Sequence, residues 1–278
     1  MSYRTALIGI GGIGKSITRR LGFGKRVLLA DFDERSLQAA SKDLMADGYS
    51  ITAIRVDVSS RESVRSLAGV AAGLGDVVQV VNTAGLSPNM APPERILAVD
   101  LVGVALILEE FGEVVASGGA GLVISSMAGY MPPPLPPGVN EALAHAPAEE
   151  LLRLPFLKPT AIPDSGAAYG ISKRANHLRV QAESLHWGER GARINSISPG
   201  IVATPMAQTE MTSPLSAGYR AMIDASVSKR MGTAEEIAAA AAYLLGPDSS
   251  FVTGSDLLID GGVIAALRAG RLKLTEGT

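Results

Sequence analysis

Tyr169 and Lys173 stand four residues apart in Tyr169-Gly170-Ile171-Ser172-Lys173. On a helix that spacing puts both side chains on one face. A free phenol titrates at about pH 10, and an ammonium beside it favours the phenolate, bringing the group toward acid/base chemistry at neutral pH. Pairs of this kind are common in helices that do no chemistry, so other residues must give this one meaning. Near the start, Gly9-Ile10-Gly11-Gly12-Ile13-Gly14 carries Gly9, Gly11 and Gly14 at the spacing Gly-x-Gly-x-x-Gly. Such glycines permit a tight strand-to-helix turn, close backbone approach to a pyrophosphate and tight helix packing, while the helix N-terminus adds positive potential. Asp31 follows 17 residues after Gly14, with Phe32 and not an arginine next to it. A carboxylate there can accept hydrogen bonds from an adenosine ribose and repels a 2'-phosphate, which predicts NAD in preference to NADP. The competing structural reading is that Asp31 only starts a turn and caps a helix.

The elements that must position these groups are legible as alternating patterns. Short β-branched or leucine-rich runs at 5–10, 26–30, 51–56, 77–81, 121–125, 193–198 and 257–259 predict strands. Between most of them, 15–22, 35–47, 61–74, 93–117, 167–187 and 234–245 predict helices. Strand and helix alternating in this way imply right-handed crossovers and a parallel sheet covered on both faces. The expected architecture is α/β, a Rossmann-type doubly wound parallel sheet in a single domain over residues 1–265, followed by a tail at 266–278. One stretch breaks the rhythm: residues 131–168 hold nine of the 16 prolines. A proline run favours extended polyproline conformation and not a core element, so this segment reads as a surface insertion. Its middle, 140–154, has room for one or two short helices, with Pro147 suited to a helix start.

Composition narrows the chemistry. Hydrophobic residues at 47% against 19% charged, with 31 glycines, suit a globular α/β protein and argue against disorder. A net charge of -2 gives no footprint for nucleic acid. There is no cysteine, so disulfides, thiol nucleophiles and cysteine metal sites are excluded. His145, His177 and His186 form no i, i+4 pair, and no metal site is expected. The apolar runs are too short or too alanine-rich to span a bilayer, and the N-terminal residues lack a leader pattern, so the expected location is cytoplasmic, without membrane contact.

Taken in order from Thr5 to Gly262, the chain resembles the short-chain dehydrogenases/reductases. After the glycine turn and Asp31 come Asp57-Val58, similar to the family's adenine-contacting pair, and Asn82-Thr83-Ala84-Gly85, similar to its Asn-Asn-Ala-Gly turn. Ser126, in Ile124-Ser125-Ser126, matches the catalytic serine, and Tyr169 and Lys173 match the catalytic pair. Pro199-Gly200-Ile201-Val202-Ala203-Thr204 resembles the loop at the nicotinamide end, and Thr253-Gly254 with Asp260-Gly261-Gly262 resembles the closing strand. Three departures stand out. The glycine turn is one residue shorter than usual and has Ile8 before Gly9; Thr83 and Asp100 stand where the family commonly has asparagine; Tyr169 lies 43 positions after Ser126 because of the insertion. The insertion, the Ala84–Pro88 turn and the ending resemble the subgroup of 3α-hydroxysteroid dehydrogenase/carbonyl reductase and coniferyl-alcohol dehydrogenase.

The resemblance implies hydride transfer between nicotinamide and substrate, with Tyr169 exchanging the hydroxyl proton and Ser126 holding the substrate oxygen. It implies that Lys173 aids the tyrosine and binds the nicotinamide ribose, and that Asp100 or its backbone anchors a relay water. Cofactor contacts are expected from Gly9, Gly11, Gly12, Ile13, Gly14, Asp31, Phe32, Asp57, Val58, Asn82, Ala84, Gly85, Tyr169, Lys173, Pro199, Gly200, Val202 and Thr204. The expected function is NAD-dependent interconversion of a secondary alcohol and a ketone, on a bulky apolar substrate that is steroid-like, terpenoid or aromatic. The alternative is a nucleotide-sensing protein that keeps the fold without the chemistry. Residues 131–168 begin just after Ser126 and end just before Tyr169, and their apolar side chains suggest a lid over the substrate. In the family the helix carrying Tyr169 often packs on a second subunit, which implies a homodimer or homotetramer.

Overall fold

A computed structural model describes residues 4–272. Seven strands form one sheet in the order β3-β2-β1-β4-β5-β6-β7, every neighbouring pair parallel. They are β1 Arg4–Ile8, β2 Arg26–Asp31, β3 Ser50–Arg55, β4 Val77–Asn82, β5 Val115–Ile124, β6 Arg193–Pro199 and β7 Asp256–Ile259. The helices are α1 Gly12–Leu21, α2 Glu34–Ala46, α3 Arg61–Leu74, α4 Pro93–Ile96, α5 Gly103–Gly112, α6 Pro137–His145, α7 Ser165–Glu189, α8 Pro205–Met211, α9 Ser216–Ala225, α10 Ala234–Leu245 and α11 Val263–Arg268. This is the doubly wound α/β architecture that the alternation predicts.

The pleat sends successive side chains to opposite faces and so builds two cores. Val27, Leu29, Val81, Leu122 and Ile197 join one core with residues of α1, α2 and α10. Leu28, Ala30, Val80, Val123 and Ile194 join the other with α3, α5 and α7. Helix starts are fixed by side-chain caps: Asp33, Ser60, Asp164 and Thr204 each accept from a backbone N–H in the first turn, and Thr233 with Glu236 makes a capping box. Between α4 and α5 the helix widens into a π segment, Leu97–Val102.

Three expectations need correction. The helix expected over 93–117 ends at Gly112, and β5 begins at Val115, pairing with β4 through a register shift. Part of the expected tail is packed: α11 reaches Arg268 and Leu272 is buried beside Met127 and Met222, while residues 273–278 lie outside the described residues. The insertion is a core layer. Leu143, Ala148, Leu151 and Leu157 are at most 2% exposed and join the α5–α7 core. The 3-10 turns Ala148–Arg153 and Pro155–Leu157 complete it. Arg179 of α7 donates to Leu143 O (3.2 Å), Ala146 O (2.9 Å) and Glu109 (3.1 Å). Arg61 pairs with both Glu149 and Glu109, fastening the outside of the segment to α3 and α5.

Candidate active site

Strand order reverses between β1 and β4, and in such sheets the crevice at the C-terminal strand ends receives ligands. Gly9 leaves β1 with φ +83° and donates its N–H to Ala30 O at 2.7 Å; a Cβ there would lie 2.5 Å from Ala84 N. Only glycine accommodates both conditions. Thr83, the first departure in the β4 turn, donates its hydroxyl to Gly9 O and so pins the shortened glycine turn to β4. At Gly11 a Cβ would meet nothing within 4 Å, and Gly11 is exposed at the cavity wall. That open space beside the N-terminus of α1 fits a pyrophosphate, which needs close backbone approach.

Asp31 ends β2 and accepts from Ile10 N (2.9 Å) and Asp33 N (2.9 Å). The helix cap is Asp33, through Ser36 N at 2.7 Å, so the capping role does not fall to Asp31. Phe32 is half exposed, with the Arg55 and Arg95 guanidinium groups 4.6 and 5.5 Å from its ring centroid. Asp57 accepts from Ser59 N (3.0 Å) and Oγ (2.6 Å), while Val58 is buried against Gly103. Asn82 accepts from Ala84 N at 3.1 Å and shapes the turn from within.

Ser126 follows β5, and its Oγ accepts from Ala128 N at 3.1 Å. Tyr169 and Lys173 lie on α7, with the Lys173 ammonium 5.2 Å from the Tyr169 ring centroid. Ser125 Oγ donates to Lys173 O at 3.0 Å and ties α7 to the end of β5. Lys173 is buried, and its Nζ lies 3.3 Å from Asp100 Oδ2 on the π segment. Leu86 N donates to the other oxygen, Asp100 Oδ1, at 2.8 Å. Burial opposes charge on Lys173, but the Asp100 carboxylate and Tyr169 outweigh it and hold the ammonium above its ordinary value. Burial in turn pushes the Asp100 carboxyl up, against the pull of Lys173. Asp100 is therefore a direct electrostatic partner of Lys173, a contact between residues 73 positions apart that the sequence does not announce.

A cavity of about 340 Å³ joins these parts. Its wall includes Gly11, Gly12, Ile13, Gly14, Gly85, Ser126, Tyr169, Lys173, Pro199, Gly200, Val202 and Thr204. Gly9, Asp31, Phe32, Asp57, Val58, Asn82, Ala84 and Asp100 are not in that wall. The expected lid is also displaced: of residues 131–168 only Met131 and Gly166 reach the cavity. Leu143, Leu151, Leu157 and Ile162 of that segment are buried in the α5–α7 core instead. Closure comes from α8, α9 and the residue that precedes α9, through Met206, Glu210, Met211, Leu215, Tyr219 and Met222. None of these six was singled out from the sequence, where Thr204-Pro205 signals only a helix start. Among the described residues no group of three or more His, Asp or Glu could hold a metal ion, and no helix is long and apolar enough to cross a membrane.

The model of the short chain dehydrogenase family matches residues 5–137, and one described as enoyl-(acyl carrier protein) reductase matches 154–264. Short-chain dehydrogenase/reductase bsc3 of Alternaria brassicicola is 45% identical over 262 residues, covering 94% of this chain and 95% of that protein. The chain belongs to the short-chain dehydrogenase/reductase family. Other members similar to it are galactitol 2-dehydrogenase (L-tagatose-forming) of Cereibacter sphaeroides, 30% identical over 94% of this chain and 98% of that protein. The 3-alpha-hydroxysteroid dehydrogenase/carbonyl reductase of Comamonas testosteroni is 28% identical over 83% and 93%. Among solved folds, an actinorhodin polyketide ketoreductase with NADPH superposes at TM-score 0.73, with 23% identity and 94% and 97% coverage. Members of this family are oxidoreductases of alcohols and ketones that use NAD(P) cofactors.

Proposed function

We propose that the protein is an NAD-dependent dehydrogenase/reductase interconverting a secondary alcohol and a ketone on a bulky, mainly apolar substrate. The observation that carries this is one cavity lined at once by the glycine turn, by Ser126, Tyr169 and Lys173, and by an apolar wall from α8 and α9. Gly9 to Gly14 would hold the pyrophosphate, Asp31 the adenosine ribose, Asp57 and Val58 the adenine surroundings, and Pro199 to Thr204 the nicotinamide end. When bound, the nicotinamide supplies or accepts the hydride. Tyr169 gives a proton to the substrate oxygen in reduction and takes it in oxidation, while Ser126 donates a hydrogen bond to that oxygen. Lys173, kept charged by Asp100, holds its ammonium beside the Tyr169 ring and would bind the nicotinamide ribose. The Asp100 backbone is the candidate anchor for a relay water. The protein is further proposed to act in the cytoplasm as a homodimer or homotetramer, whose mass light scattering would measure.

The Asp100 carboxylate beside Lys173 is the one feature favouring the other reading, a nucleotide-sensing protein without turnover. Incubating the protein with NAD and a panel of cyclic and open-chain secondary alcohols separates the two. Nicotinamide reduction, strongest for bulky apolar alcohols, is expected; tight NAD binding with no turnover on any alcohol or ketone would favour the sensor.

A further inference from the structure

Five of the nine methionines in the chain, Met127, Met131, Met206, Met211 and Met222, line the cavity that Ser126 and Tyr169 also line. They come from separate elements. Met127 follows Ser126 directly and opens the 3-10 turn Met127–Tyr130, and Met131 comes just after that turn. Met206 and Met211 lie on α8, and Met222 lies on α9. Met127 and Met222 are rooted in a buried cluster with Val263, Ile264 and Leu272, whereas Met206 is 39% exposed. Among the described residues the wall holds no phenylalanine and no tryptophan, so an aromatic group there would meet thioethers in place of stacked rings. A thioether is unbranched and polarizable: its three rotatable bonds let it follow the outline of a flat ligand, and its sulfur is attracted to an aromatic ring. A wall of leucines with the same volume would bury apolar surface equally well without that preference.

We infer that the methionine wall is a binding surface for an aromatic ring of the substrate. This inference rests on the bulky apolar-substrate reading above and narrows it to ketones and alcohols that carry an aryl group. Met127, next to Ser126 in the chain, ties that surface to the reacting end of the cavity. Two effects oppose each other and set the expectation. Burial of apolar area favours a saturated fused bicycle, which takes more apolar surface out of water than its partly aromatic counterpart. Attraction between thioether and ring acts on the aromatic compound only, and it accumulates when several methionines surround one ring. A preference for the aromatic compound therefore runs against simple partition from water, and that sets this wall apart from an ordinary apolar pocket.

The test compares 2-tetralone with 2-decalone, which share a fused bicyclic outline and a ketone not conjugated to a ring. Dissociation constants are measured on the NAD-loaded protein, which holds no hydride for the ketone, in wild type, Met206→Leu and Met222→Leu. Leucine keeps the apolar volume and removes the sulfur. 2-Tetralone should bind about threefold or more tighter than 2-decalone, and at least one variant should shrink that advantage about twofold or more. Met206→Leu, at a partly exposed position, keeps the test open should Met222→Leu fail to fold. In protein carrying a carbon-13 label on the methionine methyl groups, saturating 2-tetralone should shift the signals of the wall methionines by ring current. Met45, which is outside the wall and 58% exposed, should keep its position. An advantage below about threefold, an advantage unchanged in both variants, or wall signals unmoved by 2-tetralone would overturn the aryl surface while leaving the apolar-substrate reading intact. Binding of neither ketone would overturn that reading and the aryl surface with it.

Discussion

Leu151 and Leu152 are neighbours in the insertion with opposite environments, 0% and 42% exposed. If the segment is a core layer, truncating them must have very different effects. Leu151→Ala deletes three carbons, worth about 2.4 kcal/mol at ~0.8 kcal/mol per methylene. A residual cavity on the order of 60 Å³ adds about 1.4 kcal/mol at ~24 cal/mol per Å³. The expected loss is therefore about 4 kcal/mol, and Leu152→Ala, already half in water, should lose less than about 1 kcal/mol. In a chain of this size each kcal/mol moves Tm by roughly 2 °C or more, so Leu151→Ala should melt at least ~8 °C lower. Urea unfolding followed by the single tryptophan, Trp187, which is fully buried, reads the difference. KM for a bulky ketone should stay at the wild-type value in both variants. Similar stabilities for the two variants, or a KM that rises in both, would refute the core placement and restore the lid.

Asp31→Asn keeps an oxygen for Ile10 N but removes the charge, so the ratio of kcat/KM for NAD over NADP should fall about tenfold or more; a wild-type enzyme equally efficient with both would remove Asp31 as the selector. His177 gives a pH dependence. Its ring lies 2.8 Å from Ser198 Oγ, 3.6 Å from Asp256 Oδ1 and 4.9 Å between centroids from Tyr130. Burial, helped by Arg174 and Lys173 and opposed by Asp256, holds the imidazole below its ordinary value. The unfolded chain therefore takes the proton first, and the associated stability is present above about pH 6.5 and lost as the pH falls below it. The Tm of the wild type should drop more between pH 7 and 5 than that of His177→Gln; equal drops would show that His177 does not titrate as argued.

Much of the scaffold could be read from the chain because local pattern and tertiary need agree. The run at 193–198 and the helix at 234–245 have one plausible period each, and both fall in place within a residue. Where the pattern misleads, a long-range term wins. Residues 115–120 carry Gly118 at φ +78° and a second glycine, yet they continue β5 because Val77 supplies a pairing partner. The prolines of 132–136 do hold an irregular path, but Leu143, Leu151 and Leu157 lie on three separate short helical turns, so their burial depends on the α5–α7 core they join and not on one local period. At the site, Tyr169, Lys173 and Ser126 are legible from residue type and spacing. The methionine wall is not, since Met127, Met206 and Met222 stand far apart in the chain and gain meaning only from the cavity they share. Thr83 reads as a flaw in the turn until its hydroxyl is seen to hold Gly9.

Tyr169→Phe tests the central claim most directly, because it deletes one hydroxyl and keeps the ring that packs beside Lys173. Turnover of the best alcohol should fall about 10²- to 10⁴-fold, the usual contribution of a positioned acid/base group, while the dissociation constant for NADH stays within about threefold. A variant that still turns over within about tenfold of wild type, with NADH bound normally, would contradict the assignment of proton transfer to Tyr169.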